Sequence, residues 1–119
     1  MPISWRIADG LVWLESDGNV PFEEWRAAVE AALAHPDYRP GMGVVHDWRS
    51  LKWAPSTNEI GARARYGATL GPIRWALVVP NDVGYGMGRM AEILTDEPPI
   101  QLRTFRDIKD AEAWVRGGD

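Results

Sequence analysis

Residues 3–8 alternate, with Ile3, Trp5 and Ile7 on one side and Ser4 and Arg6 on the other, which predicts a half-buried strand. Asp9-Gly10 is a two-residue hairpin signal. Leu11, Val12, Trp13 and Leu14 follow without alternation, as in a strand covered on both faces. A hairpin therefore opens the chain. After the polar stretch 16–19, Phe22, Trp25, Val29, Ala32 and Leu33 recur at helical spacing. Pro21 suits the first helical position, Glu23 and Glu24 complement the helix dipole, and Pro36 ends the run.

A third strand is predicted over Gly41–Trp48, with Val44 and Val45 buried and His46, Asp47 and Arg49 at its charged end. Ser56-Thr57-Asn58-Glu59 then reads as a capping box, in which Ser56 caps the backbone and Glu59 reaches back. The helix over 56–69 is weakened by Gly61 and Gly67 and offers a narrow face of Ile60, Ala64 and Ala68, as suits a helix lying close against a sheet. Ile73–Pro80 is continuously apolar, the mark of a buried parallel strand. Asn81-Asp82 leads into a helix with Met87, Met90, Ala91 and Leu94 on one face, stopped by Pro98-Pro99. Ile100–Phe105 alternates as a last strand, and Asp107 caps a helix carrying Ile108, Ala111, Trp114 and Val115. The order β-β-α-β-α-β-α-β-α, without repeat or linker, predicts one α/β domain over 1–119 with a mixed, mostly parallel sheet.

Cysteine is absent, which excludes a disulfide framework and thiolate chemistry. No apolar run approaches the ~18 residues of a membrane span, and the first ten residues lack a secretory pattern, so a cytoplasmic location is expected. The net charge of −4 argues against nucleic acid as a partner. Charge is unevenly spread: residues 1–48 carry three basic and eight acidic side chains, whereas 49–106 carry eight basic and five acidic. This asymmetry reads either as two differently solvated faces or as a basic patch of Arg49, Lys52, Arg63 and Arg65 facing an acidic partner or anion. Of seven tryptophans, Trp5, Trp13, Trp25, Trp75 and Trp114 fall on inward positions; Trp48 and Trp53 flank the loop after the third strand, where they can line a pocket or a contact surface.

Catalytic signals are sparse. His35 sits at a helix C-terminus, where a capping role explains it. His46 and Asp47 are adjacent on a strand and point to opposite faces, so they cannot form a base–orienter pair. No metal-ligand spacing, nucleophile elbow, phosphate loop or dinucleotide fingerprint occurs, and no catalytic residue, metal or cofactor is assigned. Gly84-Tyr85-Gly86-Met87-Gly88 matches no phosphate motif and fits close packing of helix on sheet.

The element order and the segment DWRSLKWAPSTNEI resemble the STAS domain of anti-sigma-factor antagonists, the SpoIIAA-like fold. In that family a strand ends in Asp and a loop leads to a phosphorylatable hydroxyl opening a helix; Asp47, Leu51, Trp53, Ser56 and Thr57 fall on matching positions, with Pro55 and Asn58 replacing the family's acidic residue and glycine. Nearly the whole chain also resembles small bacterial STAS/SEC14-like proteins, through Ala76–Pro80, Gly86-Met87-Gly88-Arg89-Met90, Leu102–Asp107 and Ala111 to Trp114-Val115. The resemblance implies a non-enzymatic regulatory module that docks a protein partner, or a second copy of itself, through Asp47, Arg49, Lys52, Trp53 and Arg63 and is switched by phosphate at Ser56 or Thr57. Its SEC14 side implies the alternative of an apolar or lipid-like ligand beside Met87 and Met90, with Trp48 and Trp53 as a lid. An enzyme using His46 and Asp47 is the remote third reading.

Overall fold

Asp9 and Gly10 both adopt positive φ, 55° and 77°, and this turn folds β1 (Ile3–Ala8) back antiparallel on β2 (Leu11–Ser16). The computed structural model describes residues 3–50, 52, 56–70, 72–94 and 100–117, leaving aside the side chains of Thr57 and Leu94. Strands β3 (Val44–Asp47), β4 (Arg74–Val78) and β5 (Gln101–Phe105) add in parallel, giving one sheet in the order β1-β2-β3-β4-β5. Helices α1 (Phe22–Leu33), α2 (Thr57–Gly67), α3 (Asp82–Leu94) and α4 (Ile108–Val115) alternate with them in the predicted order.

Every crossover after β2 advances by one strand in the same direction, so α1, α2 and α3 share one face and, among the described residues, α4 is the one helix on the other. On the first face Val12, Leu14, Val44, Trp75 and Leu77 meet Trp25, Val29 and Ala32 of α1. On the second, Val45, Ala76 and Val78 meet Ala111, Trp114 and Val115 of α4. Strand alternation sends neighbouring residues to these two separate cores. Asp107 accepts hydrogen bonds from the Lys109 and Asp110 amides at the start of α4, and Arg74 donates to the Trp114 carbonyl at its end.

Several expectations shift in detail. The third strand begins at Val44, not Gly41, because Gly41 turns at φ 85°. Pro21 stands at the cap before α1, where its carbonyl accepts from the Trp25 amide. Trp25, Trp75 and Trp114 are buried, but Trp5 and Trp13 are only half-buried. α4 alone cannot cover five strands, and its packing is on β3, β4 and β5. At the uncovered end the Trp13 indole donates to the Ala8 carbonyl and the Arg6 guanidinium lies over its ring. On α2, Ala68 is exposed and Gly67 takes the inward position beside Ile60 and Ala64. The helix does not lie close against the sheet as expected: its main neighbours are α1 and α3.

α3 approaches β5 closely. A Cβ on Gly88 would stand 2.3 Å from Thr104 Oγ1, whereas one on Gly86 would meet nothing within 4 Å. Gly88→Ala is therefore expected to destabilise by about 1–3 kcal/mol through overpacking, and Gly86→Ala to stabilise by up to about 1 kcal/mol through helix propensity. Urea unfolding of the two variants separates them; equal effects would remove the packing account of this glycine run.

Candidate functional site

The parallel register pairs Leu14 with His46, and the two-residue strand period places Ser16 on the same side as both. Ser16 Oγ and His46 Nε2 lie 2.8 Å apart, both residues buried. The His46 ring stacks on Trp48 at 5.7 Å and meets Trp75 nearly edge-on at 6.4 Å. Burial, aided by the nearby Arg63 charge, pushes the imidazole pKa down to about 3, with Asp47 opposing only weakly. His46 is thus a neutral, hydrogen-bonded ring in the wall of an apolar space, and cannot exchange protons usefully near neutral pH.

That space is a cavity of about 60 Å³ between the sheet and α2 and α3, lined by Trp25, His46, Trp48, Trp75 and Met87 with Ile60, Leu77 and Leu102. Among the described residues lining it, Arg63 is the one cation. Arg63 extends from α2 with its guanidinium 5.2 Å from the Trp25 ring centroid and 5.7 Å from that of Trp48. Nη2 donates to the Val20 carbonyl, while Nε and Nη1 are buried with no acceptor. Burial pushes its pKa down, and the charge of Glu59 acts in the opposite sense.

The residues singled out in the sequence separate into two places. Ser56 is exposed at the start of α2, accepting from the Glu59 amide at 3.2 Å and donating to the Glu59 carboxylate at 3.1 Å. The cap is formed, although Glu59 reaches back to the hydroxyl rather than to a backbone amide. Thr57 opens the helix, and its side chain lies outside the described residues, as does Trp53. Asp47 and Arg49 form a two-bond ion pair at 2.7 and 2.9 Å, with Asp47 also accepting from the Arg49 amide. This pair draws the Asp47 carboxyl below the usual carboxylate range against the burial that would raise it. Lys52 is exposed, with its amide held by Asn19. Arg63 does not join these cations on one surface, because its guanidinium turns inward under α2. Trp48 is buried in the cavity wall and Met87 lines the same cavity, whereas Met90 stands on the outer face of α3.

Sequence reasoning missed Ser16 as the partner of His46, although Val12, Leu14 and Ser16 share one strand face. It also placed Arg63 on the surface, although Ile60, Arg63 and Gly67 recur at i, i+3 and i+7. Among the described residues no cluster of histidine or carboxylate side chains could hold a metal ion.

The unfolded chain binds a proton at His46 near 6.5, whereas the folded chain resists it down to about 3. Stability from this group is therefore complete above about pH 6.5 and falls as pH drops through that window. Between pH 7 and pH 5 the loss is expected to be about 2 kcal/mol. Urea unfolding of the wild type and of His46→Gln at both pH values checks this; an unchanged slope in the variant would assign the effect elsewhere.

No family model and no curated protein sequence matches the chain. A search of solved structures finds an uncharacterised protein of the DUF3478 family with a SpoIIAA-like fold from Shewanella loihica PV-4, at TM-score 0.64 and 19% identity, over 95% of this chain and 91% of that one. At that identity the likeness speaks for architecture, and together with the strand order it makes the fold of this chain SpoIIAA-like, the STAS type.

Proposed function

We propose that the protein is a non-catalytic module of STAS-type fold that binds a small apolar molecule between the sheet and α2. The observation that carries this reading is the largely apolar cavity under α2. Apolar cavities take up apolar ligands, and the contacts made in filling about 60 Å³ are worth roughly 1–1.5 kcal/mol. A longer ligand displaces α2 outward, and α2 is suited to that: its inward apolar residues beside Arg63 are Ile60, Ala64 and Gly67, and its main contacts are with other helices. Titration with 1-octanol, followed by tryptophan emission from Trp25, Trp48 and Trp75, is expected to saturate and to raise Tm. Ala64→Leu, which fills the cavity, is expected to abolish that response; unsaturable binding, or binding untouched by the variant, would count decisively against the pocket.

A second reading places a regulatory protein contact at the start of α2, where Ser56, Asn58 and Glu59 are exposed. Phosphate on Ser56 or Thr57 would be favoured by the helix N-terminus and opposed by Glu59, whose carboxylate receives the Ser56 hydroxyl. Arg49 is already engaged by Asp47, which weakens its case as a phosphate partner. Phosphosite mapping after incubation with host lysate is expected to find modification at one of these two residues; its repeated absence removes the switch.

A further inference from the structure

The cavity's chemistry constrains what enters it, and the following rests on the apolar-ligand reading above. A guanidinium is strongly solvated in water, so burying it without acceptors is costly, and buried charges are normally paired. Arg63 departs from that pattern. One nitrogen answers to the Val20 carbonyl; Nε and Nη1 lie buried and unanswered at the wall of an apolar space. No neighbouring group supplies the missing acceptor. Glu59 acts on Arg63 through its charge but directs its carboxylate to the Ser56 hydroxyl, Asp47 pairs with Arg49, and His46 is neutral and hydrogen-bonded to Ser16. The rings of Trp25 and Trp48 offer their faces to the cation, which orients it and leaves Nε and Nη1 without an acceptor.

We propose that the ligand is an amphipathic monocarboxylic acid whose chain enters the cavity among Trp48, Trp75 and Met87, with α2 moving outward to admit the length that the cavity does not hold, and whose carboxylate accepts hydrogen bonds from Arg63 Nε and Nη1. One cation among the described lining residues suits one negative charge, which favours a carboxylate over a doubly charged phosphate ester. The tail supplies apolar contact, and the head supplies the acceptor that the protein lacks.

Octanoate, 1-octanol and octyl phosphate share one chain and differ at the head, so their affinities for the intact protein at pH 7.5 isolate the head-group contribution. Octanoate is expected to bind about tenfold or more tighter than 1-octanol, as a charge-assisted hydrogen bond provides, with octyl phosphate weaker than octanoate. Arg63→Met, which keeps the length and removes the charge, is expected to erase the preference for octanoate while retaining 1-octanol. Arg63→Gln serves as a second variant should the first fail to fold. Binding of 1-octanol equal to octanoate in the wild type, a preference surviving both variants, or a preference for octyl phosphate overturns the acid assignment and leaves the apolar pocket standing. Failure of all three compounds to bind overturns the pocket and the acid together.

Discussion

Three helices have to share one face of the sheet because every crossover after the hairpin moves one strand in the same direction. α1 lies along β1 and buries Trp25, Val29 and Ala32 in the core that also holds Val12, Leu14 and Val44. α3 sits low over β5, where Gly88 brings it close to Thr104, and Gly84 lets its first turn approach Val79 and Pro80. α2 lies between them over His46, Trp48 and Trp75, and beside Ile60 and Arg63 its inward positions are the small Ala64 and Gly67, which do not fill the remaining depth. The space beneath it follows from topology and residue size together.

The electrostatics of that space are set by burial. A neutral imidazole is stable there because Ser16 satisfies one ring nitrogen and two tryptophans flank the ring. A guanidinium is less comfortable, since the aromatic faces attract it but accept no proper hydrogen bond. The contrast between the two groups, one answered and one partly unanswered, separates a structural polar contact from a group that awaits an acceptor.

Local chemistry made much of this legible in advance. Asp9-Gly10 announced the hairpin, and Ser56 and Asp107 announced helix starts, because turns and caps depend on a few adjacent residues. Alternation and continuous apolar runs located the strands, since the two sheet faces impose a period on any chain that builds them. What escaped was produced by register between distant segments. Ser16 and His46 are thirty residues apart and meet only because β2 and β3 pair with Leu14 opposite His46. Arg63 looked like a surface cation on a helix with a narrow apolar face; its inward turn depends on Val20, Trp25 and Trp48, which lie elsewhere in the chain.

The volume beneath α2 that the chain's own side chains do not fill also gives the molecule a mechanical property. A cavity of about 60 Å³ per molecule corresponds to about 36 mL per mole, and the volume change on unfolding scales with such space. Compression therefore acts against the folded state at this layer. An occupant in the void would stiffen the protein against hydrostatic pressure as well as against heat, coupling its compressibility to whether the chamber is filled.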